Sequence, residues 1–309
     1  MERVASRNQD VVLRELEGSG IRLSMKREDE LHPFISGNKF RKLKYNLIQA
    51  REAGALTLLS FGGAYSNHIS ALSYAAKKYG FRAVGIIRGD ELGADIENTL
   101  RENPTLRFAF ENGMRFKFIS RGQYRDKEDQ HFLEALKEEF GPFYLVPEGG
   151  TNAWAVKGCE EILAPGDAQY DVICVAVGTG GTIAGLINSA KEEQQVLGFP
   201  SLKGDFLAAE IKKYTIEKDN WSLINGYDFG GYAKINKNLI SFINDFYQQT
   251  TIPLDPVYTG KMMFGIIDMI RQNYFKKNCN ILAVHTGGLQ GIKGMNDFLT
   301  KKNLPLINI

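Results

Sequence analysis

The sequence predicts an α/β protein of two domains, each an open, mostly parallel sheet with helices on both faces. Three observations carry this. Short apolar runs alternate with helical patterns through most of the chain, as they do where parallel strands are joined by crossover helices. Most of the runs end in glycine, which lets backbone amides approach a ligand at the carboxyl edge of an open sheet. The length of 309 residues suits about two domains and a substantial core without disulfides or metal staples.

The strand candidates are residues 55–61, 82–87, 115–120, 143–149, 171–177, 195–199 and 281–287. Residues 172–190 are uncharged and nearly as long as a membrane span, but their four glycines and their Thr, Asn and Ser residues read as buried strand, loop and helix. A helix starting after Ser36-Gly37 sets Phe40, Leu43, Leu47 and Ala50 on one face and Arg41 and Lys44 opposite, with Lys39 at the apolar edge. A second helix begins near Ser66, and a third follows Tyr258 and Thr259. Residues 100–130 are the most charged part and read as a loop-like surface segment, since connecting segments run over the surface. No repeat or linker marks a domain boundary.

Composition excludes several function classes. With 38 basic against 36 acidic residues, the net charge of +2 gives no field for nucleic acid or an anionic membrane surface. Cys159, Cys174 and Cys279 are odd in number and far apart. They match no metal-ligand spacing, so no metal is expected, and they fit a reducing cytosol. Glu2, Arg3, Arg7 and Asp10 leave no apolar region of a secretory signal.

Four Gly-rich turns, "FGGAYSNH", "PEGGTN", "VGTGGT" and "HTGGLQG", follow strand candidates and could converge on one ligand; each alone could be a plain turn. In "DVICVAVGTGGTIAGL" the turn opens a helix, whose free N–H groups attract an anion, most often phosphate. Ile183 stands where a dinucleotide fingerprint needs glycine, and Gly181-Thr182-Ile183 is not the Gly-Lys-Ser/Thr of a Walker loop, leaving a single small phosphate ligand or a tight turn. Ser66 or Asn67 could serve as an N-cap, hold a carboxylate, or both. His68 and His285 match no metallohydrolase or acyl-enzyme signature. Tyr258, read alone, packs its ring at the entry to a core helix.

Lys39 is the residue out of place. An ammonium bordering an apolar face has a lowered pKa, more so beside cations such as Arg41, Lys42 and Lys44, although a solvated basic face is the common fate of such a run. A partly neutral lysine attacks carbonyls. Together with a phosphate cradle it points to pyridoxal 5′-phosphate, an aldehyde carrying a phosphate.

On these residues the chain resembles the fold-type II (tryptophan synthase beta-like) pyridoxal phosphate enzymes, in the group of 1-aminocyclopropane-1-carboxylate deaminase and D-cysteine desulfhydrase. Seven ordered segments carry the resemblance over nearly the whole length: "KREDE…SGNKFRKLKYNL", "YSNH", "PEGGTN", "VGTGGT", "FGGYAK", "PVYTGK" and "HTGGLQG". It implies that Lys39 binds the cofactor aldehyde and then moves the Cα proton. Asn67 would bond the pyridoxal 3′-oxygen, while Ser66, Asn67 and His68 hold the substrate carboxylate. Gly178, Thr179, Gly180, Gly181 and Thr182 would wrap the phosphate, and Tyr258 would act as acid or base near the substrate.

Deaminases of the group carry glutamate at position 259 and leucine at 286; Thr259 and Thr286 resemble the desulfhydrase pattern, where both would touch cofactor and Thr286 also substrate. A hydroxyl at 259 tolerates an unprotonated ring. The resemblance therefore favours β-elimination from a small D-amino acid such as D-cysteine. Ring opening of aminocyclopropane carboxylate is the alternative, and a non-catalytic binder of a phosphorylated metabolite is the alternative of another class. Members often read Gln-Ser-Asn with an arginine shortly after, where this chain has Tyr65-Ser66-Asn67-His68-Ile69-Ser70, changes at the rim of the carboxylate loop. The expected architecture is a large domain from 1–47 and 159–309 and a small inserted domain from 48–158, with the cofactor cleft between them. A cytoplasmic homodimer is expected, acting on a small amino acid, without nucleic acid or membrane.

Overall fold

A computed structural model describes residues 4–204 and 206–309. Glu2 and Arg3, named above at the polar start of the chain, lie outside the described residues. The strands are β1 (Asn8–Asp10), β2 (Arg22–Lys26), β3 (Thr57–Gly63), β4 (Arg82–Arg88), β5 (Met114–Ile119), β6 (Tyr144–Val146), β7 (Val172–Val177), β8 (Gln195–Pro200), β9 (Trp221–Leu223) and β10 (Asn280–Val284). The helices are α1 (Asn38–Glu52), α2 (Asn67–Tyr79), α3 (Ile96–Glu102), α4 (Pro104–Glu111), α5 (Gln130–Phe140), α6 (Ala153–Cys159), α7 (Gly181–Ser189), α8 (Phe206–Lys212), α9 (Lys237–Thr250), α10 (Thr259–Arg271) and α11 (Gly291–Lys301). None of these is long and apolar enough to cross a membrane.

The strands form two sheets, a six-stranded one in the order β1-β2-β10-β7-β8-β9 and a four-stranded one in the order β5-β4-β3-β6. Every pairing is parallel except the edge pair β1–β2. The run "VICVAV" of β7 shows why: Val172, Cys174 and Ala176 enter one core with α9 and α10, while Ile173, Val175 and Val177 enter another with α7. A strand covered on both faces has no polar side to alternate with. In the smaller sheet β3 does likewise, Leu58 joining α1, α2 and α4 and Leu59 and Phe61 joining α5.

All seven expected strands are present, with ends shifted by a few residues. The uncharged stretch 172–190 is β7, a glycine turn and α7. Residues 100–130 depart from expectation: the segment holds the end of α3, then α4 and β5, and buries Leu106, Ala109, Met114, Ile119 and Tyr124. Its charges sit on the outer side of regular elements, and Asn103 caps α4 by accepting from the Leu106 amide, as N-cap side chains do.

The basic face of α1 is not solvated. Arg41, Lys42 and Lys44 are all buried. Arg41 forms two hydrogen bonds to the carboxylate of Glu28, itself buried, and Lys44 pairs with Glu161 at 2.7 Å. Ions removed from water need such partners.

Two glycine contacts fix the helices that matter for the site. A Cβ on Gly158 would lie 2.0 Å from the Arg41 carbonyl oxygen, so α6 and α1 meet backbone to backbone. A Cβ on Gly185 would lie 2.5 Å from Cys159 Cβ and 2.8 Å from the Val156 oxygen, which brings α7 equally close to α6. Small residues allow this approach and any side chain forbids it.

Candidate active site

Lys39 lies in the first turn of α1. The turn starts at Gly37, whose φ of +61° is open to glycine and strained for other residues, and whose Cβ would stand 2.0 Å from the Thr286 carbonyl oxygen. The next amide, Asn38 N–H, donates to that same oxygen at 3.2 Å. Lys39 Nζ donates to Asn38 Oδ1 at 2.9 Å, and Asn38 Nδ2 donates to Thr182 Oγ1 at 2.8 Å. The amine is thus one side chain away from the start of α7, and Thr286 is joined to the same corner.

Burial, and second the Lys42 ammonium, push the Lys39 amine down to about 7. Arg41 and Lys44, grouped with Lys42 from the sequence, are matched by Glu28 and Glu161, which leaves Lys42 as the neighbouring cation that acts. The buried Cys159 thiol, pushed up to about 11, stays neutral and offers no countercharge.

No side chain caps the N-terminus of α7. Gly178, Thr179, Gly180, Gly181 and Thr182 wrap this end, with Gly180 in a left-handed conformation. Lys42 Nζ donates to Thr151 Oγ1 at 2.8 Å, to the Gly149 carbonyl at 3.1 Å and to Thr179 Oγ1 at 3.3 Å. A buried ammonium, hydroxyls and uncapped amides together form a donor set for a phosphate. Burial alone lowers Lys42 to about 8, and a dianion beside it would hold the ammonium charged.

Ser66 is the N-cap of α2, its Oγ accepting from the Ile69 amide at 3.3 Å. The cap uses a lone pair and leaves the hydroxyl proton for a ligand. Asn67 Oδ1 accepts from Gln290 Nε2 at 2.5 Å, and Gln290 Oε1 in turn accepts from Thr105. That bond leaves the Asn67 NH₂ as the outward donor, 3.2 Å from where a Cβ on Gly288 would stand. His68 points inward: Nε2 lies 2.8 Å from Ser60 Oγ, while Nδ1 is buried without a partner and faces Gly150. Burial, then the charges of Lys39 and Lys42, hold its pKa far below the usual range, so the ring is neutral.

Thr259 opens α10 and is fully buried. Its amide and hydroxyl both donate to Asp255 Oδ1 at 2.8 Å, and Asp255 Oδ2 accepts from the amides of Val257 and Tyr258. Tyr258 lies against Gly178, where a Cβ would come within 3.2 Å of its ring. Its hydroxyl is hydrogen-bonded to Tyr232, and burial pushes its pKa well up. Lys261 Nζ holds the loop before Tyr232 by donating to the Asp228 and Gly231 carbonyls, both at 2.8 Å. His285 is buried, with Nε2 2.6 Å from the Pro253 carbonyl and Nδ1 accepting from Gly287 N–H, a structural role.

Through Asn38–Thr182, Gly37–Thr286, Gly178–Tyr258 and the approach of Asn67 and Asp255 to Gly288, the structure brings Lys39, Asn67, Tyr258, Thr259, Thr286 and the 178–182 turn to one corner, with Ser66 next to Asn67 and His68 buried against Ser60. A pyridoxal phosphate fits the residues present: a buried amine about half neutral near pH 7, an uncapped helix end with a lysine, and an unpartnered buried nitrogen on His68 beside Gly150. Asn38, Lys42, Thr151, Asp255 and Gln290 escaped the sequence reading. Lys42 was named there only as a cation near Lys39, and Asn38, Thr151 and Gln290 lay in the quoted segments without a role. Among the described residues no group of His, Cys, Asp or Glu could hold a metal ion.

Comparison with known proteins agrees with this chemistry. The family described as "Pyridoxal-phosphate dependent enzyme" matches residues 11–287. The bifunctional D-cysteine desulfhydrase/1-aminocyclopropane-1-carboxylate deaminase of Arabidopsis thaliana is 30% identical, covering 89% of this chain and 74% of its own. The D-cysteine desulfhydrase of Yersinia enterocolitica is also 30% identical, over 87% of each chain. A crystal structure of an ACC deaminase homologue superposes with a TM-score of 0.80 at 29% identity, covering 96% of this chain and 94% of the other.

Proposed function

The chain belongs to the pyridoxal-phosphate-dependent enzyme family, and on that premise we propose that it is a lyase acting on small D-amino acids by β-elimination, as D-cysteine desulfhydrase does. With D-cysteine and water the products are pyruvate, ammonia and hydrogen sulfide. The observation that carries the reading is the Lys39 amine, held by Asn38 and Thr182 at the uncapped end of α7 and lowered to about 7.

Pyridoxal 5′-phosphate, when bound, supplies an aldehyde for the substrate amine and a ring that accepts the electron pair left at Cα. Lys39 would hold that aldehyde through its amine, and as a free amine it would take the proton from the substrate Cα. Lys42, Thr179 and the amides of Gly180, Gly181 and Thr182 would hold the phosphate. Ser66 Oγ and Asn67 Nδ2 face the substrate carboxylate, and neutral His68 supports that loop from below. Tyr258, kept protonated, can deliver a proton to a departing thiolate. Thr259 and Thr286 present no glutamate or leucine to the ring, which supports the desulfhydrase reading. The bifunctional Arabidopsis relative keeps ring opening of aminocyclopropane carboxylate as the second reading.

We also infer a cytoplasmic homodimer with the small unit 48–158 closing over the substrate, which excludes water from the reacting carbon. Light scattering on the purified protein checks the dimer. For the chemistry, D-cysteine, L-cysteine and aminocyclopropane carboxylate are compared for keto-acid and sulfide release, with Lys39→Ala as control. Turnover of D-cysteine lost in Lys39→Ala supports the proposal; turnover of aminocyclopropane carboxylate alone replaces it with the second reading.

A further inference from the structure

Beyond the recess, the carboxyl ends of β3, β4 and β5 frame a cavity of about 610 Å³ lined by Gly63, Arg88, Glu91, Arg121, Tyr124 and Arg125, among others. Three guanidiniums face one carboxylate there. All three are exposed, and among the described residues none of Arg88, Arg121 and Arg125 has an ion pair or side-chain hydrogen bond. Arg88 instead lies over the Tyr124 ring, 5.4 Å from its centroid, while the Tyr124 hydroxyl donates to Glu148 at 2.7 Å. Glu148 is bonded by Tyr124 and paired with Lys127 at 3.4 Å, and bonds none of the three guanidiniums.

This cavity adjoins the substrate loop. Gly63 and Ala64 form part of its wall, and the Gly63 carbonyl accepts the amide of Ser66 at 3.1 Å. The Arg88 guanidinium lies 3.7 Å from where a Cβ on Gly63 would stand, and its charge also acts on the hydroxyl of Tyr232, the partner of Tyr258. Unpaired guanidiniums in a concave site are built for carboxylate or phosphate, which they grip through paired N–H groups.

We propose that Arg88, Arg121 and Arg125 form a subsite for a second anionic group, and that the enzyme's own substrate is a D-amino acid whose β-substituent ends in a carboxylate or phosphate. The proposal rests on the β-elimination reading and narrows its substrate class. D-Cysteine is then a truncated substrate that shares the reacting atoms and lacks the distal contact. Arg121 and Arg125 follow β5 on an exposed loop, and Arg88 closes β4. All three line the same cavity as Gly63 and Ala64, which precede Ser66 in the chain.

The holoenzyme is assayed for keto-acid release from 3-chloro-D-alanine, S-carboxymethyl-D-cysteine and O-phospho-D-serine, whose β-substituents are neutral, carboxylate and phosphate. In the unmodified enzyme an anionic compound should exceed the neutral one in kcat/KM by about tenfold or more, and which anion wins identifies the group. Arg121→Gln and Arg125→Gln should each erode that ratio through KM of the anionic compound, with Arg121→Lys recovering part of it. No preference for either anion, or a ratio unmoved in the variants, overturns the subsite. Failure of all three compounds and of D-cysteine overturns β-elimination instead. The subsite is then judged by titrating the visible absorption of the holoenzyme: tighter binding of the anionic compounds, lost in the variants, sustains it, and equal binding of all three ends it.

Discussion

The Thr259 hydroxyl donates to Asp255 Oδ1 at 2.8 Å and accepts the Asp255 amide at 2.9 Å. Its proton is therefore committed inside the protein, and a group in the recess meets only an oxygen lone pair. Asp255→Asn keeps the shape but replaces one acceptor oxygen by a donor, so bonds to Thr259 or to the amides of Val257 and Tyr258 are lost. We expect about 2 kcal/mol less stability in urea unfolding and an altered visible band in the holoenzyme.

With its amine lowered to about 7, Lys39 is mostly protonated below that pH and mostly neutral above it. The cofactor-free protein should take up pyridoxal phosphate about tenfold faster at pH 8 than at pH 6, as followed by stopped-flow absorbance. A surface lysine would titrate near its ordinary value and show little uptake at either pH. Reduction with borohydride and peptide mapping should place the label on Lys39; a label elsewhere removes the basis of the proposed chemistry.

Lys42 donates to three oxygens around the phosphate cradle and has no acidic partner among the described residues. Lys42→Met should weaken pyridoxal 5′-phosphate binding by about ten- to a hundredfold, measured by fluorescence titration. Binding of pyridoxal, which lacks the phosphate, should change far less. Equal losses for both would place Lys42 in the framework of the recess and not at the phosphate.

Arg41 and Glu28 are each almost wholly shielded from water. Glu28→Gln strands the guanidinium and should destabilise the fold by about 3 kcal/mol, read from urea denaturation. Pairing it with Arg41→Met should restore much of the loss, because a buried ion pair replaced by apolar packing is often neutral. Activity of the surviving folded fraction should change little in the double variant.

The parallel architecture and the reactive corner were both legible because they depend on local pattern. The run of β7 has no polar face, and a lysine beside a glycine-opened helix is unusual wherever it occurs. What stayed hidden depends on distance along the chain. Lys42 meets Thr151 across 109 residues, and Gln290 meets Asn67 across 223; no window of sequence contains either pair. The burial of Arg41 and Lys44 was misread for the same reason, since Glu28 and Glu161 reach them from other elements. β1, β2 and β9 escaped because each is short or carries charge: β2 ends at Lys26, buried against Asp167 at 2.8 Å. Residues 100–130 misled because Arg107, Glu111, Arg115 and Lys117 are interleaved along α4 and β5 with the inward apolar side chains Leu106, Ala109, Met114 and Ile119.

Because α6 touches the backbones of both α1 and α7 through Gly158 and Gly185, the separation between the Lys39 amine and the anion cradle is a dimension of the main chain. Side chains can be exchanged around the rim, at Tyr65 or the three arginines, without altering that gauge. Selectivity in this scaffold can thus diverge while the reaction centre stays in register, and a bulkier residue at either glycine would disable every substrate alike.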